Sequence, residues 1–140
     1  MSQVNMCNFF MYGSVFLFFL IGFLHIYANF VFKRNKNKYD DFLDEYEQAG
    51  LQLDLTTKVA SHMGFYANYQ KLAFFMRLYR GEKIRFSRNE FVRKEAYEFV
   101  QKQPNNKIGW MKGLLHLYRV IYFITALFFT FMVIFIHVCK

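Results

Sequence analysis

Four histidines and two cysteines are the side chains with the most chemistry to offer, and their positions restrict what that chemistry can be. His25 lies inside a long apolar stretch, His62 in the polar middle, His116 just ahead of a second apolar stretch and His137 near its far end. Haem held axially between two helices needs two imidazoles at one depth. His25 is seven residues from Phe32, about 10 Å along a helix of 1.5 Å rise, whereas His116 precedes its stretch altogether. The depths disagree, so a haem-bearing redox subunit would rest on His25 alone or on the His25 residues of two copies. The plainer expectation is that His25 bonds a neighbouring helix, with Asn29 one turn further along the same face, because polar groups inside a membrane seek such partners.

Cys7 precedes the first apolar stretch and Cys139 follows the second, which puts both on one side of a chain that crosses twice. An intrachain bridge needs their Cα atoms within about 7 Å. Bridges between copies, or two inert thiols, are the alternatives. No nucleophile elbow, phosphate loop, metal-binding pair or carboxylate constellation stands elsewhere, and the seven glycines form no phosphate-cradling run. The expectation is a protein that is not an enzyme and carries no cofactor. Gly13, Gly22 and Ala28 instead suit close helix packing.

A second constellation suits binding. Arg77, Arg80, Lys83, Arg85 and Arg88 stand beside Phe74, Phe75 and Tyr79. At a membrane surface such aromatics dip between headgroups while the bases meet lipid phosphates, and a protein partner can use the same side chains. Nucleic acid is not expected as a specific partner, because no helix-turn-helix, zinc-ligand or single-strand-binding pattern accompanies them.

The elements that must position these residues begin with the two apolar stretches. Phe9 to Phe32 runs 24 residues without a formal charge and Val120 to Val138 runs 19, each enough for a hydrocarbon core of about 30 Å. Both read as transmembrane helices, the first as an uncleaved span rather than a signal peptide, since nothing before Phe9 is basic and no small-residue cleavage pattern follows. Lys33, Arg34, Lys36 and Lys38 follow the first span, and Lys107, Lys112 and Arg119 precede the second. The outer flanks offer almost no bases. Basic flanks stay on the cytoplasmic side, so the expected topology has both termini outside and the middle inside.

That middle carries most of the formal charge of +8: of 18 Lys and Arg residues, only Lys140 lies outside Lys33 to Arg119. The charges are sorted. Residues 39–57 hold six acids and no base, whereas Lys71 to Arg119 holds twelve bases and four acids, so an acidic helix could close onto basic neighbours. Helices are expected over Asp40 to Ala49, ending at Gly50; from Thr56 to Arg80, capped by Asp54, weakened at Gly64 and lined by apolar residues that include Met63 and Tyr66; and from the capping-box pattern Ser87-Arg88-Asn89-Glu90 to Lys102, before Pro104. The fold class is all-α: two transmembrane helices flanking a cytoplasmic segment, residues 33–112, of two or three amphipathic helices. A segment of that size is near the lower limit for an independent core, so its apolar faces call for the membrane or a partner.

Lys71-Leu72-Ala73-Phe74-Phe75, Tyr79-Arg80, Glu90-Phe91-Val92-Arg93 and Ile124-Thr125-Ala126-Leu127 occur in an order that resembles the universal stress protein B group, small bacterial inner-membrane proteins with a span at each end. The resemblance covers roughly the last half of the chain, with residues 101–112 as an insertion. It implies a bacterial plasma membrane and a non-enzymatic role, and no catalytic residues. The functional expectation is an adaptor or accessory subunit that packs against a membrane-protein partner, or against its own copies, within the lipid bilayer. The rival from another class is a self-assembling pore or membrane-disrupting effector of toxin or phage-lysis type. Ser14, His25, Asn29, Thr125 and Thr130 are sparse for the polar stripe that a wet lumen needs.

Overall fold

A computed structural model of the chain describes residues 2–63 and 67–140, with Leu55, Ser61 and Ser87 described by their backbone alone. Away from water, a long apolar run satisfies its own backbone by coiling, and both runs do so. They form α1 (Gln3–Arg34) and, as the last element, α6 (Asn105–Val138). Between them come α2 (Lys36–Gln48), α3 (Leu55–Ser61), α4 (Asn68–Tyr79), β1 (Arg85–Ser87), β2 (Glu90–Phe91) and α5 (Lys94–Gln101). The chain divides into two compact units, one made of residues up to Phe30 with those from His116 onward, the other of Val31–Leu115.

The first unit is an antiparallel helix pair. A disulfide joins Cys7 to Cys139 across a Cα separation of 5.6 Å, and Gln3 Nε2 donates to the Val138 carbonyl at 2.9 Å. Further along, Phe10 meets Phe131 at 5.3 Å between ring centroids, and Phe18 meets Phe128 at 6.2 Å. Gly13 makes the approach possible: a Cβ there would come within 2.8 Å of the Phe131 ring. Ser14, Thr125 and Thr130 turn their hydroxyls onto carbonyls of their own helices, four residues back, so they add no polar surface. The outward side of α1 is a continuous apolar band, with Phe16, Phe19, Phe23, Ile26 and Phe30 all well over half exposed. A monomer in water does not present such a band. At 32 and 34 residues, and about 1.5 Å per residue, both helices are long and apolar enough to cross a bilayer.

The second unit is built around α4, whose residues Lys71 to Met76 and Leu78 are all buried. A helix buried on every side belongs at the centre. On α2 the buried residues are Tyr39, Phe42 and Tyr46, one face of a helix whose acids occupy the rest. Phe75 is the meeting point, with Phe42 edge-on at 4.8 Å and Tyr46 at 5.3 Å, while Phe99 closes the cluster at 5.6 Å from Tyr46. Each such pair contributes about 0.5–1.5 kcal/mol beyond the area it buries. Val100, Ile108 and Met111 complete the core and are fully enclosed.

Helix ends follow the chemistry of their residues. Gly50 stands at φ +78°, where Gly50 N donates to Glu47 O and Leu51 N to Tyr46 O, the paired bonds of a glycine helix stop. Gly81, at φ +74°, repeats this after α4, with bonds to Leu78 O and Arg77 O. Asp54 Oδ1 accepts from Thr57 N at 3.1 Å and opens α3.

Two expected helices differ from the observed elements. The single helix from Thr56 to Arg80 is two, because α3 closes with tight turns, His62 N to Val59 O and Met63 N to Ala60 O, and α4 restarts at Asn68 to pack against it. Gly64 and Tyr66 lie outside the described residues. The helix expected from Ser87 to Lys102 is observed only from Lys94, as α5, and its expected first turns are a hairpin instead: Ser87 pairs with Glu90 and Arg85 with Phe91, around a turn at Arg88 and Asn89. Tyr97 on α5 decides this. Its hydroxyl donates to Glu82 O at 2.7 Å and accepts from Ile84 N at 3.1 Å, so the start of β1 is held extended beneath α5. Local capping signals are weaker than two such bonds. Among the described residues the polar unit thus holds four short helices, α2 to α5, and the all-α class with a long apolar helix at each end is as expected. The acidic α2 closes onto a base once among the described residues, through Glu45 and Lys107 at 3.2 Å; Lys36 takes Asp40 within the helix.

Candidate functional site: a cation–aromatic hairpin

The hairpin is short, two-stranded and exposed, and it carries three bases with no carboxylate at ion-pair distance among the described residues. Antiparallel pairing sets Arg85 opposite Phe91, which brings both side chains together across the strands. Lys83 Nζ lies 4.4 Å from the centroid of the Phe91 ring and Arg85 Cζ 5.8 Å from it. Two cations on one half-exposed ring form an unusual surface: the ring's electron-rich face offsets part of their repulsion, while their outer sides remain open to an anion. Arg88 extends from the turn. Among the described residues no carboxylate lies within ion-pair distance of Lys83, Arg85 or Arg88.

The other bases of the expected patch are committed elsewhere. Glu82 takes Arg77 at 3.0 Å with one oxygen and Arg80 at 3.1 Å with the other. Tyr79 lies under Lys112, whose Nζ is 3.8 Å from the ring centroid. Phe74 and Phe75 are corrected outright: at 1% and 0% exposure they are core residues and cannot dip among headgroups. The i, i+1 aromatic pair reads like a surface anchor in one dimension, yet α4 is covered on all sides, so both rings turn inward. The site therefore shrinks to Lys83, Arg85 and Arg88 and gains Phe91, which the sequence reading assigned to a helix stripe. The signal that could have found it is the alternation through Lys83, Ile84, Arg85 and Phe86, with Ile84 buried and its neighbours outward.

Behind the hairpin a polar cleft of about 380 Å³ opens between Gly50, Gln52, Glu90, Phe91, Arg93 and the Tyr46 hydroxyl. Arg93 Nη2 donates to Gly50 O at 2.9 Å, and the Tyr46 hydroxyl to Gln52 O at 3.1 Å. These bonds tie the loop after α2 to the foot of the hairpin. Burial, with Asp54 nearby, raises the Tyr46 phenol above its ordinary value, so it stays protonated.

A second corner holds Lys71, almost enclosed, with its Nζ 5.6 Å from the Phe32 centroid. Tyr39 and Trp110 flank the same ring. Burial lowers the Lys71 amine; Asp40 opposes the shift and Lys36 adds to it. Burial, then the charges of Asp40 and Glu47, raises the Tyr39 phenol.

The histidines do not gather. His25, His62, His116 and His137 are each exposed, and the described residues contain no group of three His, Cys, Asp or Glu side chains placed to hold a metal ion. Among the described residues His25 makes no hydrogen bond to α6, the other helix of its unit. Comparison with protein-family profiles, curated proteins and solved structures finds no match.

Proposed function

We propose that the protein is a non-catalytic membrane adaptor or accessory subunit of a larger membrane complex, in which α1 and α6 span the bilayer and the hairpin engages an anionic surface. Lys83 and Arg85 against the exposed Phe91 ring, with Arg88 at the tip, carry this reading. Two cations against one ring, with no carboxylate at ion-pair distance, suit an external anion, and the half-exposed ring supplies apolar contact to the same visitor. An acidic patch on a partner membrane protein fits, since the polar unit already buries its own aromatic core and has little apolar surface to give to lipid. The basic flanks of both spans favour a cytoplasmic location for residues 33–112, with Cys7 and Cys139 on the opposite side, where disulfides persist. The sequence's resemblance to small two-span proteins supports a bacterial inner membrane.

Purification in mild detergent followed by mass spectrometry tests the proposal. A co-purifying membrane chain that is lost in the Lys83→Glu, Arg88→Glu double variant is the expected result. A stable isolated monomer, with no companion chain under any extraction condition, would sink it. Reporter fusions test sidedness, and a cytosolic report from either terminus contradicts the assignment.

A further inference from the structure

On α1, residues Phe18, Gly22, His25 and Asn29 follow one another at spacings of four, three and four, which places them on a single flank of the helix. Phe18 marks the edge of that flank nearest α6, through its contact with Phe128. Beyond it the flank is open. Apart from its own helix backbone and chain neighbours, nothing lies within 4 Å of where a Cβ on Gly22 would sit, and an apolar hollow of about 270 Å³ forms there between Phe18, Phe19, Ile21, Gly22, Phe23 and Ile26. Next to this hollow stand His25 and Asn29, both exposed and neither engaged in a hydrogen bond or ion pair among the described residues.

Resting on the spanning assignment of α1, we infer that this flank is a docking surface for α1 of a second copy of the same chain, lying parallel to the first. Lipid tails can cover phenylalanine, but they offer nothing to an imidazole or a carboxamide, and such groups in a membrane find hydrogen-bonding partners on other helices. His25 is eight residues from Lys33, about 12 Å along the axis, too deep for its short side chain to reach the headgroups. Neutral histidine and asparagine each carry a donor and an acceptor, so the pair is complementary to itself. Copies inserted by the same rules share one orientation, and parallel helices related by a two-fold axis bring like residues to like depth. A second copy therefore presents polar groups at the required level, whereas an unrelated helix must carry them there independently. Gly22 allows the backbones to approach closely enough for these short side chains to meet.

The test is energy transfer between donor-labelled and acceptor-labelled full-length protein in phosphatidylcholine vesicles, titrated by lipid dilution. Wild-type protein is expected to self-associate. His25→Leu and Asn29→Leu are each expected to weaken association by about threefold to thirtyfold, the range for one interhelical hydrogen bond in a membrane, and Gly22→Leu to weaken it by closing the hollow. Phe16→Leu, an exposed position on the far side of the helix and outside the hollow, leaves it unchanged. All of these variants keep the span apolar, and circular dichroism with the Cys7–Cys139 bridge on a non-reducing gel verifies their folding. Absence of transfer in wild type, or transfer untouched by Gly22→Leu and Asn29→Leu, overturns the inference. So does a Soret band in the purified protein, which would give His25 to iron, and so does association only in the presence of a different membrane chain. Release of the protein by carbonate washing would instead defeat the spanning assignment beneath it.

Discussion

Tyr97 and Tyr39 show how single hydroxyls act in the polar unit. The Tyr97 hydroxyl joins the Glu82 carbonyl to the Ile84 amide and keeps the base of the hairpin extended. Tyr97→Phe leaves both backbone groups unpaired, so a loss of about 1–2 kcal/mol is expected, read as a lower denaturant midpoint at unchanged m-value. Tyr39 and Tyr46, both raised by burial, share the alkaline limit, and Tyr39 shows the sign. Its folded phenol is raised, so above about pH 10 the unfolded chain gives up its proton while the folded chain retains it, and stability present below that pH is lost as pH rises. Lys71 acts with the opposite sign in the window just below its ordinary value: the folded amine is lowered, the unfolded chain binds more protons, and stability rises with pH there. Unfolding followed from pH 8 to 11 is expected to pass through a maximum near pH 10, with Tyr39→Phe making the descending side shallower and Tyr46 supplying what remains. A descent as steep in Tyr39→Phe as in wild type would show that other groups control it.

Among the elements, the glycine stops separate backbone cost from steric cost. A Cβ on Gly81 meets only Gln101 Nε2, at 3.7 Å, an ordinary contact, so Gly81→Ala is opposed by its φ of +74° alone. About 1–2 kcal/mol of destabilisation is expected from that conformation. Gly109 lies inside α6 with nothing near the place of its Cβ, and Gly109→Ala is expected to be neutral or to stabilise by up to about 1 kcal/mol. Thermal unfolding of the two variants side by side checks the contrast. Gly50 and Asp54 were legible as stop and start because their effects are local. The hairpin was not, since Ser87-Arg88-Asn89-Glu90 meets the local pattern of a helix start, whereas the segment is held extended by strand pairing, by Val92 N on Ile84 O and by Tyr97, ten residues beyond Ser87. Phe74 and Phe75 misled for the same reason: the bases that follow them in sequence suggest a surface helix, whereas elements distant in sequence bury α4, Lys71 included.

The whole molecule is a chain whose two ends are joined. The Cys7–Cys139 bridge closes a loop of sequence separation 132 across the antiparallel helix pair. In water, opening such a loop would remove up to about 5 kcal/mol by chain entropy; between two spans already confined by a bilayer, the loss is expected to be smaller. Reduction is expected to slow migration on a denaturing gel and to lower the unfolding temperature, and Cys139→Ser reproduces both effects without reductant. Identical mobility with and without reductant would refute the pairing. What the sequence by itself determined is where the chain is apolar, how long each apolar run is and which flanks are basic, because length and uncharged character are what make a helix able to cross a membrane. The tertiary structure alone decided which of two neighbouring aromatics and bases face outward, since burial depends on residues distant in sequence: Phe75 is enclosed by Phe42 and Tyr46, and Phe91 meets Arg85 only across a turn.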